Sequence, residues 1–108
     1  MRLVDLHPRF INSGGDGIFD KNMNPAPLRV GVGVMFDCPC GKCGFPLFIP
    51  FDIALDGKSY PYKEKGWHRV GDTFETLTLT PSILRIKDKN GYGCNWHGFI
   101  TNGEIITV

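Results

Sequence analysis

The chain has 108 residues, 42% of them apolar, with twelve Lys and Arg against eleven Asp and Glu for a formal charge of +1. That length predicts one domain, residues 1–108, burying about two-thirds of its unfolded surface. The balanced charge provides no global field for nucleic acid or an anionic membrane, and no apolar run approaches a membrane span.

The opening residues, Met1-Arg2-Leu3-Val4-Asp5, lack the apolar stretch of a signal peptide, so a cytoplasmic location is expected. His7, before Pro8, reads as a surface or capping residue. The segment Asn12 to Pro27 is rich in Gly, Asn and Pro and predicts a long surface loop. Val30, Val32, Val34 and Phe36 then alternate with Gly31, Gly33 and Met35, a period-two strand that runs into Cys38. Leu47, Ile49, Phe51, Ile53 and Leu55 repeat the pattern after the cysteines. The two strands predict a hairpin whose tip carries Cys38, Cys40 and Cys43.

Asp56 to Gly66 reads as a second loop, with Lys58, Lys63 and Lys65. Trp67 reads as a core or rim aromatic, and His68 as an outside candidate for an extra metal ligand. From Phe74 to Thr80 another alternating run predicts a strand ended by Pro81, which cannot donate to a ladder. Leu84 and Ile86 start a further short strand, closed by Asn90-Gly91. Arg85, Lys87 and Lys89 alternate along it as a solvated face. Asn102-Gly103 between Phe99–Thr101 and Glu104–Val108 is the strongest hairpin signal in the chain. No segment sustains a helical period. The fold class predicted is mainly β, a small single-domain antiparallel sheet with a zinc-ribbon-like metal site.

The chemistry concentrates in two short motifs. Cys40-Gly41-Lys42-Cys43-Gly44 is C-x-x-C-G, and Cys94-Asn95-Trp96-His97-Gly98 is C-x-x-H-G. Such spacing on a tight turn lets two ligands converge on one ion while backbone amides face the thiolates. Reduced cytosolic thiols in so tight a cluster point to metal rather than to disulfides. The candidate ligands are Cys38, Cys40, Cys43, Cys94 and His97. The expected sphere is tetrahedral zinc held by three cysteines and one histidine, with one of the three clustered cysteines spare. A two-iron, two-sulfur cluster is the alternative cofactor. The Rieske pattern is incomplete, because Cys38-Pro39-Cys40 puts cysteine where histidine is needed.

Zinc deaminase chemistry lacks its general base here, since no His or Cys ligand candidate is followed two residues on by Glu. A closed four-ligand metal leaves no position for catalytic water. Asp37 is the single carboxylate beside either motif, a conceivable base that reads rather as a strand-end residue.

Three features together resemble a family of small phage and prophage proteins: Cys38-Pro39-Cys40-Gly41, Thr78-Leu79-Thr80-Pro81-Ser82-Ile83, and Cys94 to His97 followed by Asn102-Gly103. The resemblance spans roughly residues 30 to 108. The family's first cluster is tighter, with one residue between its second and third cysteines where Gly41 and Lys42 stand here. Some members are labelled ammonia monooxygenase, a membrane copper enzyme that a chain without a membrane-length apolar run does not fit. The resemblance implies metal binding in a phage or prophage setting. The function expected is a structural zinc module that binds a host or phage protein, with no membrane or nucleic-acid partner and no catalytic residues; the alternative is an iron–sulfur electron carrier.

Overall fold

The computed structural model describes residues 1–58, 66–91 and 93–108. Most of the loop expected over 56–66 therefore lies outside the described residues. A 3-10 turn, Leu3–Leu6, precedes seven strands: β1 (Arg9–Ser13), β2 (Arg29–Phe36), β3 (Leu47–Pro50), β4 (His68–Val70), β5 (Thr78–Arg85), β6 (Trp96–Thr101) and β7 (Glu104–Thr107). They form two antiparallel sheets, in the orders β1-β2-β3 and β4-β5-β6-β7. The mainly-β expectation holds, though with two sheets instead of one.

Alternation explains the first sheet. Val32, Val34 and Phe36 on β2 and Leu47 and Ile49 on β3 are buried, and Phe36 pairs with Leu47 across the expected hairpin. On the second sheet Leu79, Ile83, Trp96, Ile100 and Ile105 face inward. Apart from Val32, both sets share one core with Leu3, Leu6 and Phe51. The sheets are also joined at their edges. Trp67 N–H donates to the Pro50 carbonyl at 2.8 Å, and the Trp67 carbonyl accepts from Asp52 N–H at 2.8 Å. Phe36 is fully buried, so Phe36→Ala is expected to cost about 3–5 kcal/mol, read as a lower urea midpoint at unchanged slope.

Asn102-Gly103 turns the β6–β7 hairpin as expected, with both residues at positive φ, 46° and 73°. Pro81 behaves differently from the expectation. It does not end the strand, and β5 continues through it to Arg85. Leu79 pairs with Ile100 and Ile83 with Gly98, so Thr80, Pro81 and Ser82 together oppose Phe99. In such a bulge the proline's missing N–H leaves no ladder bond unmade. The expected strand Leu47 to Leu55 is shorter, ending at Pro50, because the chain then turns to meet Trp67. β1 and β4 carry too few alternating residues to be legible beforehand.

Around Asn12 to Pro27 the expected excursion folds on itself, with Asp20 accepting from the N–H groups of Asn22 and Asn24. No helix among the described residues is long and apolar enough to cross a membrane.

Candidate functional site

Cys38 follows β2, in the first sheet, and Cys94 precedes β6, in the second. The fold brings these two sulfurs to 3.3 Å, and Cys40 and Cys43 complete a group of four whose sulfurs lie within 4.8 Å of one another. None is in a disulfide. Tetrahedral zinc at about 2.3 Å from each sulfur would set the sulfurs about 3.8 Å apart, so the observed 3.3 to 4.8 Å brackets the requirement.

The first motif has the local geometry of a knuckle. The N–H groups of Lys42 and Cys43 each point at Cys40 Sγ from 3.3 Å. Those two donors pull the Cys40 thiol down to about 6. Burial pushes the thiols of Cys38 and Cys94 up. Four crowded sulfurs resist sharing negative charge unless a cation sits among them.

His97 is not in the group of four. The reason is local. β6 begins at Trp96, whose side chain is buried in the core, so the next side chain must leave on the opposite face. The second motif is therefore a cysteine before a strand and a histidine within it. Gly98 has no positive φ to satisfy. A Cβ there would lie 2.4 Å from the Trp96 ring and from the Ile106 carbonyl, so the glycine makes room for the indole.

On the outer face His97 meets a residue that the sequence did not single out for chemistry. Its Nε2 lies 3.0 Å from Ser82 Oγ. With the ring proton on Nδ1, the hydroxyl donates and Nε2 accepts. Ser82 is held at that point by three things. The bulge bows residues 80–82 out of register. Trp67 Nε1–H donates to the Ser82 carbonyl at 3.3 Å. His97, diagonally across the strand pair, is fixed by its own ladder, where the carbonyl accepts from Val108 N–H at 2.9 Å. Both Ser82 and His97 are half-buried, open enough to meet a ligand. A hydroxyl paired with a neutral imidazole in this way is the minimal arrangement for nucleophilic catalysis.

The two sites are mechanically linked. Arg85, three residues beyond Ser82, donates from Nη1 to the Phe45 carbonyl at 2.7 Å, tying β5 to the loop after Cys43. The bond lies on the exposed surface, so it adds a partner to the solvated face expected for Arg85. His68 is on β4 and bonds through Nδ1 to Asp52 Oδ2 at 2.9 Å, away from the sulfur group. Burial works to raise the Asp52 pKa, but hydrogen bonds from His68 and from the Arg69 and Ile53 amides hold the carboxyl below its ordinary value. His7 and Asp37 pair at 2.8 Å on the exposed surface.

No flanking glycines mark Ser82 in the sequence, where Pro81 and Ile83 stand on either side, so it lacks the local signature of a nucleophile elbow. Its partner is fifteen residues away and carries a competing metal-ligand signature. A serine directly after a proline, in a strand that alternates Thr78, Thr80 and Ser82 with apolar residues, is the signal the sequence offers.

No curated protein and no solved structure matches the chain. One family model matches, over residues 28–108, which include β2 to β7, all four cysteines, Ser82 and His97. Its description concerns bacteria and makes no reference to phages. The chain belongs to that family, BubE, described as a bacterial ubiquitination-like system serine protease.

Proposed function

We propose that this chain is a serine peptidase of a bacterial ubiquitination-like system, with Ser82 as nucleophile and His97 as general base, built around a structural zinc centre of four cysteines. The observation that carries the reading is the 3.0 Å approach of His97 Nε2 to Ser82 Oγ on an open sheet face. The family description, which names a serine protease, supports it independently.

In the acylation step Ser82 Oγ forms a bond to the scissile carbonyl carbon while its proton passes to His97 Nε2. The carbon–nitrogen bond then breaks, and His97 returns the proton to the leaving amine. Water next attacks the acyl-serine ester, losing a proton to His97. The ester bond breaks, Ser82 recovers its hydrogen, and the acyl fragment leaves as a carboxylic acid. The bulge and the Trp67 bond hold Ser82 in place, so little orientation is lost on reaching the transition state.

The metal takes no part in these steps. Cys38, Cys40, Cys43 and Cys94 would hold zinc with all four positions filled, and the ion's charge would stabilise the thiolates and pin β2 to β6. Zinc is favoured over iron–sulfur because a structural role suits four closed sulfur ligands beside a site that needs no electrons.

Exposure of the purified chain to a fluorophosphonate tests the nucleophile. A single adduct mapping to Ser82 is expected, and a chain that takes no label, or takes it elsewhere, overturns the assignment. A chain that never labels yet holds zinc would return the function to a binding module.

A further inference from the structure

Ser82 Oγ and the His97 ring project from the outer face of the second sheet, since their neighbours Ile83 and Trp96 take the core side. Any chain whose carbonyl carbon reaches that hydroxyl must lie over this face and touch the side chains beside it. Strand parity names two of them. Phe99, two residues beyond His97 on β6, is on the same face, with its ring 6.3 Å from the imidazole. Ile106 pairs with Phe99 from β7. Phe99 is 40% exposed and Ile106 50% exposed, where the outer face of an antiparallel sheet normally carries polar residues.

The bulge sets the nucleophile beside this pair. Thr80, Pro81 and Ser82 together oppose Phe99, so Ser82, the phenyl ring and Ile106 lie across three adjacent strands. Two residues further along β6 the face turns polar, where Thr101 pairs with Glu104. Phe99 and Ile106 thus stand between the reactive pair and a polar row. Both are on the side of β5 away from β4. An exposed apolar surface continuous with a polar reactive pair marks a binding site.

Resting on the peptidase reading, we infer that Phe99 and Ile106 form the specificity surface of the site, against which an apolar side chain of the polypeptide substrate packs beside the cleaved bond. The occupant is an aliphatic or aromatic side chain. The two residues offer it carbon alone, so a polar side chain there would give up water without gaining a partner. Two half-exposed side chains on a pleated face make a platform, which rewards contact area and sets no upper size. Preference should therefore climb from Ala through Val to Leu and Phe.

Two probe series on the full chain provide the test. Fluorophosphonates carrying an alkyl chain are expected to label Ser82 about ten-fold faster than those carrying a polyether chain of equal length. Internally quenched peptides with Leu at one position beside the cut are expected to exceed their Ser counterparts by about ten-fold in kcat/KM, mostly through KM. In Ile106→Ser both ratios are expected to fall toward unity. They should persist in Val70→Ser, a control exposed on β4 opposite Thr78, four residues from Ser82 along β5. The ratios on the unaltered chain keep the inference testable if Ile106→Ser fails to fold. No label at Ser82 from either probe overturns the peptidase reading and this one with it. Labelling and cleavage that ignore the apolar group, or ratios unchanged in folded Ile106→Ser, overturn the specificity surface alone. So does a dimer in sedimentation that Ile106→Ser converts to monomer, which would assign the face to a second copy of the chain.

Discussion

Ser82→Ala is expected to abolish peptide cleavage, by about ten-thousand-fold or more in kcat/KM, while leaving the fold nearly untouched. The two magnitudes separate because the hydroxyl does different work in each. As the proposed nucleophile it would form the covalent intermediate, and loss of a nucleophile or its paired base costs about four to six orders of magnitude in serine peptidases. As a structural group it contributes one hydrogen bond to His97 at a half-buried position, worth about 1 kcal/mol. His97→Ala should lose comparable activity, and the double variant little more, since the pair acts as a unit. Thermal unfolding of Ser82→Ala within a few degrees of the parent, together with lost turnover, is the expected combination. Unchanged cleavage by the purified variant would mean that the nucleophile is elsewhere.

Removal of the metal should be the second large effect, and it should act on the fold. Elemental analysis is expected to find one zinc per chain with no visible absorption. Iron with visible bands would replace zinc by the iron–sulfur reading. The donor set draws Cys38 from the end of β2 and Cys94 from the start of β6, so the ion would cross-link the two sheets at the core's edge. Structural zinc sites release about 10–16 kcal/mol on metal binding in small domains, against a typical net stability of about 5–15 kcal/mol. Chelation should therefore melt the β-sheet signal by circular dichroism and abolish labelling at Ser82 in parallel. Cys94→Ser should do the same without chelator. Loss of activity with an intact sheet signal would instead point to a metal that takes part in the chemistry. The same chelation result in a Ser82→Ala background keeps the structural claim independent of the catalytic one.

Much of this molecule was legible in its sequence. Alternation at Val30 to Phe36 and Leu47 to Ile49 forecast the first hairpin, because a strand with one buried face must repeat every two residues. Asn102-Gly103 fixed the last hairpin through φ requirements local to two residues. The cysteine spacings placed the four converging sulfurs among five candidates, since a knuckle is set by its own short turn, but the expected sphere left one of Cys38, Cys40 and Cys43 spare in favour of His97. What only the tertiary structure decided involves partners remote in sequence. Pro81 continues a strand because the partner strand leaves Phe99 alone opposite three residues, a matter of pairing that no local rule contains. His97 is separated from the sulfurs because Trp96 takes the core side of β6, which turns its neighbour outward. There it meets Ser82, brought from another strand by the bulge and held by Trp67 from outside that strand pair. Ligands on one turn are chosen by spacing along the chain; a nucleophile and its base on different strands are chosen by register and by which face each side chain must take.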